Sequence, residues 1–177
     1  MSPLIENFWK WYERNKTFNL GLAAFLFTLQ IIHLVWLTGD VVMFRLTETQ
    51  LFGLHNDIDQ NSLFGILILA VDYLEIPAIF TTSLVYLNEL RQRFSSRSLW
   101  YLFFINSQWL HIFWITDEFI IDVFTKTSTA TILPFWLAWV AILIDYLEIP
   151  VIVDALKKFF SAVRDENLVK ALENLKD

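Results

Sequence analysis

Two histidines and four carboxylates recur at matched spacing in this chain of 177 residues. Asp72-Tyr73-Leu74-Glu75-Ile76-Pro77 returns unchanged as Asp145-Tyr146-Leu147-Glu148-Ile149-Pro150. Gln30-x-x-His33-x-x-Trp36-x-Thr38-x-Asp40 aligns without gaps on Gln108-x-x-His111-x-x-Trp114-x-Thr116-x-Glu118. In a helix, residues three or four apart share a face, so each Asp-x-x-Glu presents two adjacent carboxylates and each Gln-x-x-His a matching amide and imidazole. Carboxylate oxygen and imidazole nitrogen suit Fe, Mn or Zn better than Cu(I), which prefers sulfur. Two divalent ions would neutralise the four carboxylates. Four carboxylates and two histidines are also the ligand inventory of di-iron and di-manganese carboxylate bundles, although the Glu-x-x-His spacing found there is absent here.

His33, Asp72, Glu75, His111, Asp145 and Glu148 are therefore the expected ligands of one or two divalent transition metals. Gln30 and Gln108 lie one turn from each histidine, and Tyr73 and Tyr146 sit inside the hexapeptides; these four are expected to support the ligands through hydrogen bonds. Asp40 and Glu118, two turns beyond the histidines, would guide cations or protons from the outer surface. Trp36 and Trp114 read as aromatic packing beside the imidazoles. Thr38 and Thr116 read as bonding back to their own helix carbonyls. Pro77 and Pro150 free the carbonyls of Tyr73 and Tyr146, which then need another donor or an ion.

The elements that would carry these groups are membrane helices. The chain is 56% hydrophobic and 17% aromatic, with only 18% charged residues, and its mean hydropathy is +0.49. Apolar stretches at about 18–46, 62–90, 99–124 and 134–155 are each long enough to cross a bilayer. No Lys or Arg falls in the central part of any of them, and Arg45 lies near enough to an end to snorkel. Uncompensated acids are costly there, a few kcal/mol each or more. His111 lies roughly 18 Å along its helix from Leu99 and Asp72 roughly 15 Å from Ser62 on the opposite surface, so both reach the middle of a layer about 30 Å thick.

The expected fold is an all-α integral membrane protein forming a single membrane domain. Its core is a four-helix transmembrane bundle built from two tandem parallel helical-hairpin repeats, 17–90 and 99–158. A pseudo-two-fold axis along the membrane normal would relate them. Residues 1–16, with Phe8, Trp9, Trp11 and Tyr12 among basic residues, read as an interfacial helix. Residues 159–177 read as a cytoplasmic amphipathic helix. Basic residues at the N-terminus, in the 91–98 loop (Arg91, Arg93, Arg97) and at Lys157 and Lys158 put both termini in the cytoplasm by the positive-inside rule.

Several function classes drop out. There is no cysteine, so thiolate sites, disulfides and Cys nucleophiles are excluded. A net charge of −6 argues against nucleic acid as a partner. No phosphate-binding, dinucleotide or Ser-His-Asp motif occurs. The residues point to a membrane metal protein doing redox or metal-dependent chemistry, with the lipid bilayer as its first partner; whether it is an enzyme stays open at this point. Three alternatives stay open beside it. His33 and His111 could be axial ligands of a haem b. The symmetric acids could serve a proton- or cation-coupled transporter or channel module, as a homo-oligomer. The chain could also be an accessory subunit of a larger membrane complex.

Overall fold

Residues 2–49, 51, 67, 70–71, 73–115 and 135–174 are described by a computed structural model, and among them there is no strand. Pro3 occupies the first turn of α1 (Pro3–Arg14), where its missing N–H costs nothing. Asn15 breaks the rod, its side-chain amide donating to Trp11 O at 2.9 Å. The chain restarts at once as α2 (Lys16–Trp36), and Asn19 Nδ2 ties the two helices by donating to Tyr12 O at 3.0 Å. α2 widens into a π-helical turn at Leu37–Val42 and continues as α3 (Met43–Thr47). Glu48, at φ 57°, ends it in the left-handed conformation. Lys16–Thr47 is the one helix among the described residues that is long and apolar enough to cross a membrane.

α4 (Glu75–Gln92), α5 (Ser96–Ile115), α6 (Phe135–Tyr146) and α7 (Glu148–Asn174) follow. Leu147 alone separates α6 from α7, and Leu74 forms the same break before α4. The prolines explain both. Pro77 and Pro150 offer no N–H to the carbonyls of Tyr73 and Tyr146, so the helix cannot run through. It tightens instead: Leu74 N–H is shared between Ala70 O and Val71 O at 3.0 and 3.1 Å, and Leu147 N–H between Leu143 O and Ile144 O at 3.3 and 2.9 Å.

Two boundaries differ from the sequence reading. The basic connection is only Arg93–Ser95, because Arg91 and Gln92 extend α4 and the Ser95 hydroxyl caps α5 by accepting from Ser98 N–H at 3.3 Å. The amphipathic tail is no separate helix: α7 runs unbroken from Glu148 to Asn174. Residues 52–66, which hold most of the polar connection expected at 47–61 and the start of the second stretch, lie outside the described residues, as do Asp72, Thr116, Glu118 and the Thr-rich segment 125–132.

α2 packs chiefly on α7 and α4, α4 on α5, and α5 on α6. Phe27, Ile79, Tyr86, Ile105, Ile142 and Val151 interlock at the centre. Near one end α2 meets α7 so closely that a Cβ on Gly21 would stand 2.9 Å from the Phe159 ring.

Candidate metal centre

Beside the breaks at Leu74 and Leu147, Glu75, Asp145 and Glu148 are buried. Glu75 opens α4, Asp145 lies one residue from the end of α6, and Glu148 opens α7. His33 comes from α2 and His111 from α5. All five are buried, none more than 6% exposed.

Asp145 is the meeting point. His111 Nδ1 lies 3.0 Å from its Oδ1, and His33 Nε2 lies 3.7 Å from its Oδ2. The imidazole rings meet edge to face with centroids 5.4 Å apart. One donor atom from each of His33, His111 and Asp145 lies within 4.8 Å of the other two. An ion at the centre of that triangle would be at most about 2.8 Å from each donor, so contractions well under 1 Å give the roughly 2.0–2.2 Å of a Zn-type site. Two imidazoles and one carboxylate are also the facial set of non-haem iron, which leaves further coordination positions open. Glu75 and Glu148 are buried as well, but the donor atoms that come within 4.8 Å of one another are those of His33, His111 and Asp145.

The two glutamines make the same bond in each half. Gln30 Nε2 donates to Val71 O at 3.1 Å, and Gln108 Nε2 donates to Ile144 O at 3.0 Å. Each acceptor is the carbonyl just before the aspartate of its hexapeptide, and each already takes the tightened bond from the following leucine. The glutamines therefore grip the helix where it breaks. Tyr146 OH pairs with Thr38 Oγ1 at 2.7 Å, and Thr38 also donates to Leu34 O at 2.7 Å, the back-bond expected of it. Trp36 packs beside His33 with centroids 5.9 Å apart. Tyr73 is half-buried. Asp40 falls within the π-helical turn, where its backbone alone is described, as is that of Trp114.

Two features escaped the sequence reading. One is the π-helical turn, which frees Gly39 O to accept from Leu51 N–H at 3.0 Å; such insertions often accompany functional sites. The other is a charged network at the opposite end of the bundle. Asp154, buried, accepts from Tyr86 OH at 2.9 Å and pairs with Arg97 at 2.6 Å and Lys158 at 2.7 Å. Lys158 also pairs with Glu89 at 2.7 Å, and Ser98 donates to Glu89 at 2.8 Å. Its hydrogen bond to Tyr101 and the neighbouring Asp154 hold the Arg97 guanidinium above its ordinary value, so it stays charged. Arg91 reaches across to Glu13 and fastens α1 to α4. Asp154 has Thr81 at the repeat-related position, so duplication gave no signal for it.

Comparison with known protein families, with curated proteins and with solved structures finds no match.

Proposed function

We propose that this chain is a polytopic membrane protein that binds a divalent transition metal, Fe, Mn or Zn, through His33, His111 and Asp145. The observation that carries the reading is the convergence of those three buried side chains, from three different helices, with donor atoms within 4.8 Å of one another. An imidazole pair around one carboxylate is what a divalent ion needs: nitrogen donors, one neutralising charge and remaining open positions. When bound, the ion would act as a Lewis acid or a redox centre, and the protein would fix its ligands and exclude bulk water.

The distribution of polarity supports the membrane part. Gln30, His33, Thr82, Gln108, His111 and Glu148 point inward, while Phe25, Val35, Phe80, Phe103, Phe113 and Leu143 lie exposed on the outside. A water-soluble protein would bury the second group and expose much of the first. On this reading α2–α3, α4 with the residues before it, α5, and α6–α7 are four spans, with both termini, Arg91, Arg93, Arg97, Lys157 and Lys158 on the cytoplasmic side. The matched Gln30 and Gln108 bonds support descent from a duplicated hairpin.

The same geometry favours a bare ion over haem. A bis-imidazole haem needs its macrocycle between the two rings, and here the ring centroids stand only 5.4 Å apart with Asp145 beside both. Elemental analysis of protein purified gently in detergent tests the proposal. At least one Fe, Mn or Zn per chain is expected. Less than one, with no recovery when metal is added back, contradicts it.

A further inference from the structure

We infer that the basic end of the bundle carries a second site, a pocket for the headgroup of an amine-bearing phospholipid, with Tyr12 and Lys16 binding the phosphodiester and Asp165 the primary ammonium. The inference is independent of the metal and takes only the membrane placement from the reading above.

A cavity of about 260 Å³ opens between α2, α4 and α7 beside the end of α1. Leu20, Val85 and Ala162 give it an apolar side. Tyr12 forms another wall and is buried. Several contacts hold it there. Asn19 donates to Tyr12 O at 3.0 Å, Gln92 donates to Glu13 at 3.2 Å, and the Arg91 guanidinium lies 5.0 Å above the Trp9 ring. Yet the Tyr12 hydroxyl is closed off from solvent and has no hydrogen-bond partner among the described residues. A buried hydroxyl left so is costly unless something supplies an acceptor. Burial, and then the charge of Glu89, push its pKa up to about 12, so at neutral pH it keeps its proton and is a donor.

Lys16, Lys158, Glu89 and Asp165 also line the cavity, and their charges cancel. They are not equally free. Lys158 is paired with Glu89 and with Asp154, each at 2.7 Å. Lys16 makes no ion pair among the described residues. Asp165 has only its neighbour Arg164, 3.9 Å away, and both are exposed. The cavity therefore offers donors in Tyr12 and Lys16 and a separate acceptor in Asp165. A phosphodiester with a primary ammonium matches both through charge-assisted hydrogen bonds. A purely anionic headgroup would leave Asp165 beside like charge, and a quaternary ammonium has no proton to donate to it. The surroundings point to a lipid as the source. Phe8 and Trp11 on α1 and Phe18 and Phe25 on α2 are exposed around Lys16 in the sequence, the mixture of aromatic and basic side chains expected at a headgroup boundary.

The test uses full-length protein, delipidated in detergent and mixed with dioleoyl phosphatidylethanolamine, phosphatidylcholine or phosphatidylglycerol at equal mole fraction. Native mass spectrometry counts bound lipid, and thermal unfolding is followed beside it. Wild type should retain one ethanolamine lipid per chain, with about tenfold preference over the other two, and should unfold at a higher temperature with it bound. Tyr12→Phe and Lys16→Gln should each weaken that binding about tenfold. Delipidated Tyr12→Phe should unfold no earlier than delipidated wild type, because the hydroxyl it removes has no partner; this separates lost binding from lost folding. Equal retention of the three lipids, no retained lipid, or binding unchanged in both variants would overturn the inference. Competition by inorganic phosphate or glycerophosphoethanolamine at the lipid's own concentration would overturn the lipid as the source. Metal per chain should stay at the wild-type value in both variants, so failure here is distinct from failure of the metal reading.

Discussion

At the residue scale, Asp145 and Asp154 are two buried acids with opposite jobs. Asp145 faces two imidazoles and no Lys or Arg within the hydrophobic stretches, so it is set up for an ion. Asp154 is already neutralised by Arg97 and Lys158 and hydrogen-bonded by Tyr86, so it is set up to hold helices together. Removing one member of a buried charge cluster typically costs 3–5 kcal/mol, about what Asp154→Ala should cost here. Thermal unfolding in detergent should show a clearly lowered midpoint, while metal per chain stays at the wild-type value. Repetition made Asp145 legible in the sequence, together with His33, His111, Glu75 and Glu148. It made Asp154 illegible, because its partners come from α4, α5 and its own helix α7 and only one of them, Lys158, is near in sequence. Helical spacing says which residues share a face, not which faces meet across the bundle.

The same limits hold for the elements. Proline chemistry foretold the interruptions in the hexapeptides, and the structure resolves how they are relieved: a tightened turn at each leucine and a glutamine amide from the neighbouring helix. The π-helical turn could not be read in advance, since Thr38-Gly39-Asp40 continues the helical period and Gly39 O finds its donor, Leu51, across an irregular connection. The glutamine grip makes a prediction that separates stability from binding. Gln108→Leu leaves Ile144 O still bonded to Leu147 N–H, so stability should fall by no more than about 1 kcal/mol. Metal affinity should fall about 10–100-fold, the usual loss when a group orienting a ligand is removed. Co(II) titration beside thermal unfolding measures both; equal affinity in the variant would mean the bond is only packing.

At the scale of the whole molecule, several polar side chains among the described residues are buried between the helices while many large apolar ones lie exposed, which supports the proposed solvation by lipid. Composition made the all-helical class legible at once. The count of spans and their direction rest on hydropathy and on the placement of Arg and Lys. The absence of cysteine makes that reading easy to test by single substitutions. Ser2→Cys and Ser96→Cys should react with an impermeant maleimide only from the cytoplasmic side, and Ser128→Cys only from the opposite side. Labelling of the Ser2 and Ser128 variants from the same side would contradict the three crossings expected between terminus and turn. The central claim, however, is the ion between His33, His111 and Asp145. X-ray absorption at the edge of the bound metal addresses it most directly. Wild type should show imidazole scattering and nitrogen or oxygen neighbours at about 2.0–2.2 Å, and His33→Ala with His111→Ala should lose both the imidazole signal and the metal. A metal-free wild type, or a spectrum unchanged by removing both histidines, would contradict the account.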